Sequence, residues 1–217
     1  MYRHTLWFCL LSPVLTPGFA QPETPVNVGT LPTPEQDRQA RQIYSFLTKD
    51  PKRDAWQLPD QVVGALAFRP GETVVTIGDQ GGYLSRRIAP QVRRVFILND
   101  DSKALIKAAA EEPVNVDTQQ SQATTPNFKS TLADTIVVYN KLSTLTDRSA
   151  YYADLSSALK ANGRIAVIDF YKKPPPGLPA VRQVTATLIT SEMKTAGFRL
   201  VGSYDFLPFQ YFLVFQH

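Results

Sequence analysis

Cysteine and histidine are almost missing from this sequence: Cys9 stands alone, and the two histidines are His4 and His217 in a chain of 217 residues. Cys9 and His4 both lie within residues 1–20, which read as a secretory signal. Arg3 opens the segment, an apolar stretch runs from Leu6 to Leu15, and Thr16-Pro17-Gly18-Phe19-Ala20 supplies small residues at the minus-three and minus-one positions. Cleavage is expected after Ala20, which makes the mature protein periplasmic or secreted. The apolar stretch is about half the ~20 residues that span a bilayer, and Pro13 interrupts it, so no stable membrane anchor is expected after cleavage. Bulky Phe8 stands before Cys9 where a lipid-attachment site needs a small residue, which argues against lipidation. Loss of the leader removes Arg3 and lowers the formal charge from +4 to +3.

These absences exclude whole classes of chemistry. Without cysteine the mature chain has no disulfide, thiol nucleophile or thiolate metal site. A single histidine at the chain end argues against a serine-histidine-aspartate triad and against a multi-histidine metal site, so no metal is expected. Carboxylates, hydroxyls, lysines or a bound cofactor remain. Long basic runs are also lacking: Arg86-Arg87, Arg93-Arg94 and Lys172-Lys173 are scattered pairs without repeated aromatic spacing, which gives no nucleic-acid signature.

What is present suffices for one well-buried domain, with 43% apolar residues. Residues 21–33 carry Pro22, Pro25 and Pro32 and read as a flexible lead-in to a domain over 34–217. A first helix is expected with Thr33 as N-cap, Pro34 at its first position and Gln36 closing a capping box, its apolar face being Ala40, Ile43, Tyr44 and Leu47. A second begins near Pro59 with Val62, Val63, Leu66 and Ala67 inward. From residue 73 short aliphatic runs follow: Val74–Ile77, Val95–Leu98, Val114–Val116, Thr135–Tyr139 and Ile165–Ile168. Helices are expected between them at about 82–90, 102–111 and 147–160, the last with Tyr151, Leu155, Ala158 and Leu159 on one face and Asn162-Gly163 as its stop. Near-continuous apolar strands suit a parallel sheet covered on both faces, and the alternation predicts a doubly wound α/β, Rossmann-like domain. A helix near 186–196 precedes two further runs, Arg199–Leu207 and Tyr211–Gln216, whose tight connection at Pro208 makes the last strand antiparallel.

Ligands of such sheets sit at the carboxyl ends of the strands, around the first strand-to-helix turn. Here that turn is Thr76-Ile77-Gly78-Asp79-Gln80-Gly81-Gly82-Tyr83. Its glycines let backbone approach a ligand closely, and the helix behind it offers N–H groups. The spacing of Gly78, Gly81 and Gly82 does not match the dinucleotide fingerprint, which argues against a nicotinamide-dependent oxidoreductase.

The segment Arg53-Asp54-Ala55-Trp56-Gln57-Leu58-Pro59-Asp60-Gln61-Val62, with Arg69-Pro70-Gly71-Glu72 leading into the first strand, resembles a group of bacterial class I S-adenosylmethionine (SAM)-dependent methyltransferases. So do Leu159-Lys160-Ala161-Asn162-Gly163-Arg164 with Asp169 at the end of the fifth strand, and the tail from Met193 through Phe206-Leu207-Pro208-Phe209-Gln210 to Phe215. The resemblance covers about residues 52–217. It implies a seven-stranded sheet of order 3-2-1-4-5-7-6, mostly parallel with an antiparallel last strand, and SAM as cofactor with a small-molecule acceptor. It also implies cofactor-binding roles for Thr76, Gly78, Asp79, Gly82, Asn99, Asp100, Gln122 and Tyr139. The family motif on the first strand has an acid where Thr76 stands and a glycine where Gln80 stands. Asn99 and Gln122 likewise replace carboxylates on the ribose and adenine sides. Hydrogen bonds to neutral acceptors are worth about 0.5–1.5 kcal/mol against about 1.5–3 for charged ones, so weak or absent cofactor binding is expected. After the fourth strand, Tyr139-Asn140-Lys141 replaces a histidine common in the relatives, and Arg182-Gln183 replaces another. Tyr139 and Asp169 are the catalytic candidates, with Asp79 as a further base. Two functions follow: methyl transfer to a small molecule, or a catalytically inactive exported module on the same scaffold that binds a ligand or a protein.

Overall fold

A computed structural model describes residues 34–100, 113–121, 126, 128, 132–145, 147–171, 175–178 and 184–217. The leader, the lead-in, the Thr33 cap, the helix expected at 102–111, Lys172-Lys173, Arg182, Gln183 and Gln122 lie outside the described residues.

Three helices precede the sheet: α1 (Pro34–Lys49), α2 (Arg53–Gln57) and α3 (Pro59–Leu66). Ile43 and Leu47 of α1 are buried with Trp56 of α2 against Phe170. The sequence pattern is too short to betray α2, whose five residues end at Leu58, a left-handed residue with φ 42° that turns the chain directly into α3. In α3, Val62, Val63 and Leu66 are buried as expected. Ala67 is exposed, contrary to expectation, because it is the left-handed C-cap of the helix at φ 44°.

The sheet contains β1 (Thr73–Ile77), β2 (Arg94–Asn99), β3 (Val116–Gln120), β4 (Ala133–Tyr139), β5 (Leu159–Phe170), β6 (Arg199–Tyr204) and β7 (Gln210–Gln216), in the order β3-β2-β1-β4-β5-β7-β6. Its first five strands pair in parallel, whereas β7 is antiparallel to both β5 and β6. Every residue of β1 is buried, as a strand covered on both faces requires. Alternate side chains feed two cores. Val75, Ile77, Leu98, Ile136, Val138 and Val167 pack with α5 (Ser149–Ala158) and α6 (Ala186–Thr195), while Val74, Val95, Val137, Tyr139 and Ile168 pack with α3 and α4 (Ser85–Ile88). Each buried aliphatic side chain contributes about 1.5–3 kcal/mol, so this double cover holds the strand ends in fixed register.

Four further expectations differ from the structure. The sixth strand ends at Tyr204 rather than Leu207, and residues 205–209 connect it to β7. The third strand starts at Val116 rather than Val114, whose side chain is fully exposed; the strand is an edge of half-buried polar residues and has almost no apolar signal. The helix expected at 82–90 is broken, because Gly81 and Gly82 both hold φ 67° and form a 3-10 turn (Gln80–Gly82), so α4 starts only at Ser85. Asn162-Gly163 does not stop α5. That helix ends at Ala158, Leu159 is already extended opposite Ala133, and the next pair is Thr135 with Arg164. Residues 160–163 therefore form a wide bulge, and Asp134 on the partner strand fastens it by accepting from Lys160 Nζ at 2.8 Å and from the Thr73 N–H at 2.8 Å.

Candidate functional site

The carboxyl ends of β1, β2 and β4 meet around Gly78. Its φ is +76°, and its N–H reaches the Leu98 carbonyl of β2 at 3.4 Å. A Cβ placed there would lie 2.1 Å from the Tyr139 carbonyl oxygen of β4. The glycine is thus demanded by the close approach of two strands. Gly81 has the opposite setting, since an added Cβ would meet nothing within 4 Å.

Asp79 is fully buried, and its carboxylate accepts from the Leu84 N–H at 2.9 Å, the Ser85 N–H at 2.7 Å and the Ser85 hydroxyl at 2.6 Å. It satisfies donors at the start of α4 that the chain itself leaves open. The Ser85 hydroxyl donates to Asp79 and therefore accepts from Thr76 Oγ1 at 2.7 Å. Thr76 is buried within this network, so the residue at the motif's acidic position faces inward to Ser85.

At the end of β2, Asn99 is 7% exposed, and its backbone carbonyl accepts from Ser121. Asp100 is the more open residue, and Lys141 Nζ donates to its Oδ2 at 2.9 Å. This ion pair links the residues that follow β2 and β4. It leaves Asp100 with acceptor capacity at Oδ1, since a carboxylate offers about four lone-pair positions.

Tyr139 is 1% exposed, and its hydroxyl has no hydrogen-bond partner. Burial raises its pKa well above the ordinary phenol range, and the Arg53 guanidinium works against that rise. Asp169, at the end of β5, is also fully buried. Burial raises its pKa above the usual carboxylate value, partly offset by the N–H groups of Ser143 and Phe170, which donate at 2.9 and 2.8 Å. Asp169 thus ties β5 to the 3-10 turn Leu142–Thr144.

Sequence reasoning gave Arg53 no role, yet α2 carries it to the glycine turn. Arg53 is 6% exposed and lies over the Tyr83 ring at 3.5 Å from the centroid, with Arg87 at 4.6 Å. The neighbouring Asp54 carboxylate binds the Tyr83 hydroxyl at 2.6 Å and Arg87 at 2.8 Å. Arg53 Nε donates to Gln57 Oε1, Gln57 Nε2 donates to Gln210 Oε1 at 3.3 Å, and Gln210 Nε2 donates to Asn140 Oδ1 at 2.6 Å. The signal that could have drawn attention to Arg53 and Gln57 is their spacing of four around Trp56, which marks one helical turn.

This strand order, with β7 inserted antiparallel between β5 and β6 and the glycine turn at the centre of the sheet, decides the architecture. The fold is that of the class I methyltransferases. Among solved structures, the chain is similar to a SAM-dependent methyltransferase from Aquifex aeolicus, with a TM-score of 0.68 and 16% identity over 83% of this chain and 97% of that one. The DhpI-SAM-HEP complex gives 0.66 and 14% identity over 84% and 94%, and the glycopeptide N-methyltransferase MtfA gives 0.61 and 11% over 77% and 98%. No protein-family model matches the sequence, and neither does any curated protein. At these identities the likeness is one of fold, and the methyltransferase fold places Gly78, Asn99, Asp100 and Tyr139 around the strand ends where ligands of doubly wound sheets bind.

Proposed function

We propose that this protein binds SAM at the carboxyl ends of β1, β2 and β4 and transfers its methyl group to a small-molecule acceptor. The observation that carries this reading is the site's set of donors and acceptors on a methyltransferase fold. Asp100, steadied by Lys141, supplies an acceptor for ribose hydroxyls beside Asn99. The left-handed turn at Gly81 is open on the side a Cβ would occupy. Buried donors without partners, Arg53 Nη2 and Asn140 Nδ2, flank the same strand ends. These residues fit a ligand with a ribose at one end and a charged amino-acid group at the other.

SAM supplies an activated methyl group, and the chain's residues bind, orient and exclude water. None of the three candidate bases is poised to take a proton. The carboxylates of Asp79 and Asp169 are held by backbone donors, and the Tyr139 phenol is kept protonated by burial. An acceptor suited to this site presents a nucleophile that already has an available lone pair. With SAM bound, Asp79, Asp169 and Tyr139 would shape and shield the site, and methyl transfer to such an acceptor would require no proton from them.

Calorimetric titration of the full chain with S-adenosylhomocysteine tests this reading. Binding at submillimolar ligand is expected, and Asp100→Ala is expected to weaken it about tenfold through loss of a charged acceptor. Thr76, turned inward to Ser85, favours the competing reading of a non-catalytic ligand- or protein-binding module. The absence of heat at millimolar ligand would overturn the SAM reading in its favour.

A further inference from the structure

The amide relay behind the glycine turn is polarised in one direction. Arginine can only donate, so Gln57 must accept through Oε1, and every amide after it is fixed in turn: Gln57 donates to Gln210, and Gln210 donates to Asn140. The relay consumes the Asn140 oxygen and leaves its NH2 group. Both ends of the chain of hydrogen bonds therefore terminate in donors, Arg53 Nη2 and Asn140 Nδ2, and both are buried without a partner. Arg53 and Asn140 are 6% and 3% exposed, so water does not readily replace the missing acceptors. The Tyr139 hydroxyl, also buried, is close enough to Arg53 for the guanidinium to oppose the rise in its pKa, and as a hydroxyl it can donate or accept there.

Among the described residues, no carboxylate lies within ion-pair distance of Arg53. Asp54, next in sequence, is turned to Arg87 and Tyr83, and Asp79 is bound to the start of α4. A buried guanidinium is normally paired with an anion, because an isolated charge in a protein interior is costly. The Tyr83 face offers it only a cation–π contact. The missing element is an acceptor-rich group of negative charge.

We propose that Arg53 and Asn140 form a receptor for the oxyanion of a bound small molecule, a carboxylate or a phosphonate-type group, at the carboxyl ends of β1 and β4. The inference deepens the SAM reading, on which it rests for the site but not for the chemistry of the anion. The oxyanion comes either from the acceptor or from the amino-acid end of the cofactor, and the two sources are separable. A guanidinium presents parallel N–H donors to such a group, and charge-assisted bonds of this kind are the strong ones.

The test compares wild type, Arg53→Met and Asn140→Asp in two arms, with the urea midpoint of each variant confirming its fold. Asn140→Asp keeps the oxygen that Gln210 needs and tolerates the left-handed φ of 52°, while it replaces the free donor with a like charge. In the first arm, S-adenosylhomocysteine is titrated beside 5′-methylthioadenosine, which shares the nucleoside and thioether but lacks the amino acid. In the second, inorganic phosphate and methylphosphonate are titrated calorimetrically. A cofactor source predicts that both variants weaken S-adenosylhomocysteine by about tenfold or more and leave methylthioadenosine unchanged. An acceptor source predicts that both nucleosides bind the variants normally, while the heat of phosphonate or phosphate binding disappears. Anion binding that depends on Arg53 in a protein that binds neither nucleoside would sink the SAM reading and leave the receptor standing. Equal affinities of wild type and both variants for every ligand would overturn the receptor. Should Arg53→Met fail to fold, Asn140→Asp and the wild-type contrast between the two nucleosides and the anions decide the matter.

Discussion

Gly78→Ala is expected to destabilise the protein by more than about 4 kcal/mol, a loss of the size that unfolds many domains. The left-handed φ of +76° alone costs an alanine about 1–2 kcal/mol. The larger part is steric: the new methyl carbon would sit 2.1 Å from the Tyr139 carbonyl oxygen, and that atom belongs to the backbone of a central strand. It can retreat only if β4 moves away from β1 or β5, and both pairings are parallel ladders in the buried middle of the sheet. Gly81→Ala provides the contrast, with a similar φ of +67° and open space around the added atom. It is expected to cost only the conformational 1–2 kcal/mol, roughly. Urea denaturation of the two variants measures the difference, and equal midpoints would show that β1 and β4 do not approach as closely as described.

Asp79→Ala is expected to cost roughly 3–5 kcal/mol, because it leaves three buried donors without an acceptor. The Leu84 N–H, the Ser85 N–H and the Ser85 hydroxyl all rely on this carboxylate. Ser85→Ala, which removes one donor together with its bond and strands only Thr76, is expected to cost roughly a third as much. The pair of variants separates two roles for Asp79. A residue that mainly holds the start of α4 moves the urea midpoint, whereas one that mainly holds a ligand leaves the midpoint within about 1 kcal/mol and lowers affinity instead.

The sheet was legible because its strands are apolar on both faces. Val74–Ile77 and Val95–Leu98 mark β1 and β2 to within a residue or two, and the final hairpin follows from the spacing of Arg199 and Tyr211 about Pro208. Legibility fell where another constraint took over. β3 is an edge strand with little to bury, Asn162-Gly163 serves a bulge in place of a helix end, and Gly81 and Gly82 postpone α4 by forming a turn of their own.

The site divides in the same way. Gly78 and the strand ends could be located from the first strand-to-helix turn. The use of Asp79 as an internal acceptor is local, since its donors Leu84 and Ser85 lie only five and six residues along the chain. The relay from Arg53 to Asn140 is long-range: Gln57 and Gln210 are 153 residues apart, and Gln210 and Asn140 are 70 apart. Nothing in residue spacing announces such a network, because the order of the strands alone brings its members together. The Asp100–Lys141 pair, 41 residues apart, depends likewise on β2 and β4 flanking β1.

The most direct test of the central claim is a crystal structure of the full chain with S-adenosylhomocysteine. The ligand is expected at the carboxyl ends of β1, β2 and β4, with its ribose hydroxyls on Asn99 or Asp100 and its thioether sulfur directed toward Tyr139. Ligand bound away from these strand ends, or its absence from crystals grown at millimolar concentration, would contradict that claim.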